Sequence, residues 1–148
     1  MTLKLQKILS PIQFNDQNSL DALDLAQQFA LKNESEIVLL HVIPRSIVKP
    51  TLPGYQDLFA DNERKVADEL ERIATHHLAG CPHQVVVKSG DPAETIVRAA
   101  QELGADLIVM ATHGRRGLTH LVLGSVAQRV LREAPCLVLT KRPGAPAK

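Results

Sequence analysis

The residues of this chain best suited to chemistry lie in one stretch: Ala111-Thr112-His113-Gly114-Arg115-Arg116-Gly117 and, with nine residues between it and Gly114, Gly124-Ser125-Val126. Glycines let a backbone come close to an oxyanion. Where Gly124-Ser125 opens a helix, that helix offers free N–H groups and the positive end of its dipole, and Ser125 adds a hydroxyl donor. Together these groups have the makings of a phosphate cradle. Neither common glycine fingerprint is present, since the chain has no Gly-x-Gly-x-x-Gly and no Gly-x4-Gly-Lys-Ser/Thr. Taken alone, Gly124-Ser125 is also an ordinary helix start, and Arg115 and Arg116 either reach a phosphate or form a solvated basic loop.

Covalent catalysis would need a nucleophile with its base, and metal catalysis a set of ligands. The chain has no Gly-x-Ser-x-Gly elbow, and His113 has no acidic residue within the glycine stretch. It reads as a polar loop residue. His76, His77, Cys81 and His83 form a loose group, but Gly80 and Pro82 interrupt a helix there and no tetrahedral ligand spacing is apparent. Neither a catalytic residue nor a metal is assigned.

Five runs have the aliphatic character of strands: Lys7 to Ile12, Glu36 to Ile43, Gln84 to Lys88, Asp106 to Ala111 and Cys136 to Thr140. They are continuous more than alternating, as expected of a parallel sheet covered on both faces. Between them, apolar residues fall at helical spacing. Ala22, Leu25, Ala26, Phe29 and Ala30 predict a first helix capped by Ser19, and Val66, Leu70, Ile73 and Ala74 a second, ended by Gly80-Cys81-Pro82. A third has Asp91 as cap, Pro92 in its first turn, Glu94 three residues after the cap and Gly104 as its stop. Its buried face is Ile96, Ala99, Ala100 and Leu103. A fourth runs from about Ser125 to Glu133, with Ala127, Val130, Leu131 and Ala134 inward and Pro135 beyond.

The strict alternation predicts a single α/β domain with a parallel sheet and right-handed crossovers. In such sheets ligands bind beyond the carboxyl ends of the strands, where strand order reverses. The connection from Pro44 to about Tyr55 is either a lid over such a site or a surface loop. Residues 143–148 are expected to form a disordered tail after a domain at 1–142.

Composition narrows the partners. In 148 residues, 17 Lys+Arg against 16 Asp+Glu leave a formal charge of +1, so no whole-molecule field favours nucleic acid or an anionic membrane. One Tyr, three Phe and no Trp provide few platforms for stacking bases. No apolar run approaches the ~20 residues of a membrane span. The start of the chain lacks a secretory h-region, and the two distant cysteines read as reduced thiols, so a cytoplasmic protein is expected.

The string Val109-Met-Ala-Thr-His-Gly-Arg-Arg-Gly-Leu118, with Leu-Gly-Ser-Val-Ala-Gln-Arg-Val at 123–130 and Ala-Pro-Cys-Leu-Val-Leu at 134–139, resembles the universal stress proteins. ATP-binding members of that family carry Gly-x2-Gly-x9-Gly-Ser/Thr, and here the register is Ala111-x2-Gly114-x9-Gly124-Ser125. The likeness extends through Lys7-Ile-Leu-Ser-Pro-Ile12, Leu39-Leu-His-Val42 and Gly90-Asp-Pro-Ala93, nearly the whole chain.

The resemblance implies a five-stranded parallel sheet of Rossmann-like, adenine nucleotide alpha hydrolase-like type, with strand order 3-2-1-4-5. It implies a cytoplasmic stress-response protein that binds ATP or a related adenine nucleotide, with or without Mg2+. By matching position, Ile12 and Gln13 would flank the base, with Pro11 also among the nucleotide-binding residues, Val42 would offer the base a backbone contact, and Met110 and Ala111 would line the floor. Gly114, Arg115, Gly124, Ser125 and Val126 would hold the phosphates. The side chains of Ile12, Val42 and Met110 suit a core near strand ends equally well.

Two positions depart from the family pattern. Gln13 stands where nucleotide-binding members have an acidic residue, and Ala111 replaces the first glycine. The implied role is regulation or tolerance, with slow ATP hydrolysis or autophosphorylation, for instance on Ser125, as the only chemistry left open. The alternative is a dimeric protein-interaction module that does not bind nucleotide. The last strand should lie at a sheet edge, and pairing it with a second copy would cover it; the resemblance points to such a homodimer.

Overall fold

The computed structural model describes residues 3–45, 53–113 and 123–144. Its elements are β1 (Lys7–Pro11), α1 (Gln17–Asn33), β2 (Glu36–Pro44), α2 (Tyr55–His77), β3 (His83–Gly90), α3 (Pro92–Leu103), β4 (Leu107–Ala111), α4 (Ser125–Glu133) and β5 (Leu137–Lys141). The five strands form one parallel sheet in the order β3-β2-β1-β4-β5, as expected.

Continuous apolar strands follow from burial on both faces. Ile8 and Leu9, neighbours on β1, enter opposite cores. Ile8, Ile37, Leu39 and Val109 pack with Leu23 of α1 and Leu70 of α2. Leu9, Val38, Leu40 and Ile108 pack with Ile96 of α3 and Val130 of α4. No helix among the described residues is long and apolar enough to cross a membrane.

The helix signals hold with two corrections. α1 is capped by Asp16, not Ser19: residue 16 has the extended backbone a cap requires, and its carboxylate accepts from the Asn18 N–H at 3.0 Å. Ser19 lies in the first turn, buried, where its hydroxyl accepts from the Gln13 N–H and donates to Asp16 Oδ2. On α4, Leu131 is 43% exposed. Only Ala127 and Val130 of that short helix are buried, because the apolar face it sets on α3 and the sheet is narrow. On α1, Leu23 joins the buried alanines, with Leu25 and Phe29 half-buried at the margin. For α3 the Asp91 cap accepts from Glu94 N–H at 3.0 Å, and Gly104 ends the helix at φ 64°, where its lack of Cβ removes the strain.

What positions the site is the place where the order reverses. β1 pairs with β4 only at Ile8↔Leu107 and Leu9↔Ile108. Beyond that point β1 continues with β2 to Pro11↔Leu40, while β4 continues with β5 to Ala111↔Lys141. The two central strands therefore part at their carboxyl ends and leave a crevice between them.

Candidate functional site

That crevice is a cleft of about 640 Å³, within the size of small-molecule sites. It is bordered by Pro11, Ile12, Gln13, Val42, Met110, Ala111, Gly124, Ser125 and Val126, so the structure gathers nine of the residues singled out in sequence around one space. Gly114 and Arg115 lie outside the described residues, as do Arg116 and most of the Pro44 to Tyr55 connection.

One wall comes from the ends of β1 and β2. The Ile12 N–H donates to the Leu40 carbonyl at 2.8 Å, just past the last paired residues, Pro11 and Leu40. Residues alternate sides along a strand, so Val42, two beyond Leu40, turns its N–H and C=O toward the side that β1 has left. A paired donor and acceptor thus face the crevice. The side chain of His41 reaches across: its Nδ1–H donates to the Ile12 carbonyl at 2.8 Å, which leaves Nε2 the acceptor in the neutral ring. Its ring lies 4.4 Å from that of Phe14, so the rim carries a small aromatic pair. Gln13 is exposed at this rim, and it supplies an amide where a carboxylate would give charge. Asp16 does not replace that charge, since it is 5% exposed and both of its oxygens are engaged in closing α1.

The opposite wall is the end of β4 and the start of α4. Thr112 is held from two sides: its N–H donates to the Lys141 carbonyl at 3.0 Å and its carbonyl accepts from the Gly124 N–H at 2.8 Å. A Cβ on Gly124 would stand 2.7 Å from that carbonyl oxygen, closer than real Cβ contacts come. Gly124 has an ordinary extended backbone, φ −62° and ψ 154°. Glycine is needed here for space, to let the helix start lie against the strand end.

Gly124 occupies the cap position of α4 without a side-chain cap bond, and the first turn carries no acidic residue. Ser125, Val126 and Ala127 follow, all bordering the cleft. An α-helix leaves its first N–H groups without intrahelical partners, so this end presents donors and positive potential to the crevice. The site therefore offers a peptide edge and rings on one side and an anion seat on the other. Ala111 poses no backbone conflict, because the positive φ values of non-glycine residues among those described are at Asn15 and Glu34 alone.

α4 is tied to α3 by Arg129, which donates to Asp91 Oδ2 at 2.9 Å and to Glu133 Oε2 at 3.0 Å. The hydrogen bond and charge of Glu133, then the charge of Asp91, hold the guanidinium proton more firmly than in a free arginine.

Several participants escape a reading of the sequence. Phe14 and Asp16 belong to no motif, although Asn15-Asp16-Gln17-Asn18 carries the cap-forming residue types, and His41 lies in the Leu39-Leu-His-Val42 string without a role of its own. His113, read as a polar loop residue, is 5% exposed and borders the cleft beside Thr112. Pro92 and Ile96 of α3 complete the floor.

The histidine and cysteine group away from the cleft has other partners. His77 pairs with Asp24 at 2.9 Å and His83 with Glu71 at 3.2 Å, and no group of three metal-binding side chains occurs among the described residues. Cys81 and Cys136 are free, and burial pushes both thiols above the usual range.

Comparison with known proteins points the same way. A model of the Universal stress protein family matches residues 4–142. Universal stress protein YxiE of Bacillus subtilis is 30% identical, covering 92% of this chain and 98% of that protein. The solved structure of hypothetical protein MJ0577, from Methanocaldococcus jannaschii, aligns with a TM-score of 0.82 at 29% identity, over 95% of this chain and 99% of that one. Two more distant structures share the fold. One is a universal stress protein in complex with cAMP, with TM-score 0.68, 23% identity and 95% and 99% coverage. The other is a universal stress protein family protein of Arabidopsis thaliana with AMP bound, with TM-score 0.63, 20% identity and 95% and 93% coverage.

Proposed function

The chain belongs to the universal stress protein family, and on that premise we propose that it binds ATP or a related adenine nucleotide in the crevice between β1 and β4. The observation that carries this reading is the uncapped start of α4, opening on the cleft with Gly124 pressed against the Thr112 carbonyl. A phosphate accepts hydrogen bonds and carries negative charge, which is what a free helix N-terminus complements. Across the cleft, the Val42 peptide edge suits a base that offers one donor and one acceptor side by side. The cAMP and AMP held by neighbours of the same fold support adenine as that base.

The proposed role is a nucleotide-responsive regulator or tolerance factor in the cytoplasm, acting by binding and not by catalysis. Magnesium would arrive with the triphosphate, since the one buried carboxylate among the described residues of the cleft, Asp16, is engaged in capping. The dimer proposed through β5 fits an edge strand whose Leu137 is 51% exposed. Light scattering should give twice the 16.2 kDa chain mass, and a monomer mass would refute the dimer.

The test is calorimetric titration of nucleotide-stripped protein with ATP and AMP, with and without magnesium, beside Gly124→Leu. Binding by the native chain is expected, and ATP at a hundred times its dissociation constant should add about 2.7 kcal/mol of stability. The Gly124→Leu variant should lose binding because its side chain cannot fit against Thr112. A native protein that binds neither nucleotide would overturn the reading and leave the interaction module in its place.

A further inference from the structure

We infer that His113 is a ligand contact in its own right, its Nε2–H donating to the phosphate seated at the start of α4. The inference rests on the nucleotide reading above and adds a phosphate-reading side chain to it. His113 is buried at the cleft wall. Its Nδ1 shares a hydrogen bond of 2.8 Å with the Thr112 hydroxyl, whereas its Nε2 is buried with no hydrogen-bond partner. The only other such side-chain atom among the described residues is Ser10 Oγ, which does not border the cleft. A buried polar atom left unpaired destabilises the fold, so its position asks for a reason.

The surroundings supply one. Thr112 is bonded through its N–H to Lys141 and through its carbonyl to Gly124, so the residue that orients the imidazole is itself fixed. A Cβ built on Gly124 would lie 3.6 Å from His113 Cα, which places this backbone directly against the helix start. When the Thr112 hydroxyl donates to Nδ1, the neutral ring carries its proton on Nε2 and becomes a donor. A phosphate, which only accepts, would satisfy that atom together with the first N–H groups of α4 and the Ser125 hydroxyl. The ligand class so selected is a phosphorylated nucleoside, with the free nucleoside indifferent to His113.

Titration of the full chain with ATP and with adenosine separates this contact from a packing role. His113→Asn keeps a group able to meet the Thr112 hydroxyl but is too short to stand in for Nε2. It should weaken ATP at least tenfold and leave adenosine unchanged. His113→Gln, which carries an amide N–H near the position of Nε2, should recover most of the ATP affinity. Undiminished ATP binding by His113→Asn would overturn the inference while the nucleotide reading stands. An equal loss for both ligands would also overturn it, as the sign of a merely structural residue. A wild-type chain that binds neither ligand would fail the nucleotide reading itself, and the inference with it.

Discussion

Two helices start on the same crevice and end their first turns differently. α1 follows β1, and Asp16 closes it with a carboxylate that accepts from the Asn18 N–H and the Ser19 hydroxyl. α4 follows β4, and Gly124 leaves it without a side-chain cap or an acidic first turn. α3 sides with α1, since Asp91 caps it. Each helix N-terminus carries the same partial positive charge and the same orphan N–H groups. Fold geometry therefore supplies several equivalent anion seats at the carboxyl edge of the sheet, and local sequence decides which remains available. A carboxylate at the cap spends the seat on the chain itself, whereas a glycine keeps it for a ligand.

The sharpest way to break this comparison is to give α4 what α1 has. Ser125 is exposed at the first position of α4, so Ser125→Asp meets no packing obstacle there. A carboxylate in that place complements the helix dipole by about 0.3–1 kcal/mol and repels a phosphate. We expect ATP affinity to fall at least tenfold by calorimetry while the melting temperature holds or rises by about 1–3 °C. Loss of both together would mean that the substitution damaged the fold. Retention of ATP would show that phosphate does not sit at this helix start.

The converse change, Asp16→Ala, should have the smaller effect and the opposite pattern. Removing a helix cap costs about 0.5–2 kcal/mol, so a melt lower by roughly 2–6 °C is expected, with ATP affinity changed only a few-fold. Abolished ATP binding at unchanged stability would identify Asp16 as a ligand carboxylate and erase the distinction between the two helix ends.

Much of this architecture is legible in the chain itself, for reasons that differ by residue. Strand runs such as Leu107 to Ala111 declare themselves because burial on both faces leaves no polar alternation to read. α3 is legible because Asp91, Pro92 and Gly104 are local signals whose partners lie within one turn. The Asp16 and Ser19 pair is not, because both are capping residue types three positions apart and the choice rests on a backbone conformation set by where β1 ends. His113 is hidden for a related reason. Its burial comes from α4 packing back onto Thr112, a contact between segments that a linear reading cannot see. Leu131 marks the reverse failure, since helical period says which residues share a face but not how wide a face the neighbours cover.

Ala111 provides the finest test of the comparison, because the family pattern would place a glycine on the α4 side of the cleft there. Such a position calls for glycine either because its backbone has positive φ or because a Cβ has no room. Positive φ does not apply, since Ala111 continues the β4 ladder opposite Lys141 and is absent from the residues in that conformation. Lack of room is the case at Gly124, with a neighbouring carbonyl where its Cβ would be, while Ala111 sits half-buried beside the cleft with its methyl accommodated. Ala111→Gly should therefore leave ATP affinity within twofold and lower stability by about 0.5–1 kcal/mol, the usual consequence of glycine in a strand. Should affinity instead rise clearly, the methyl group obstructs the nucleotide, and the openness of the α4 end would depend on the strand floor beneath it as well as on the missing cap.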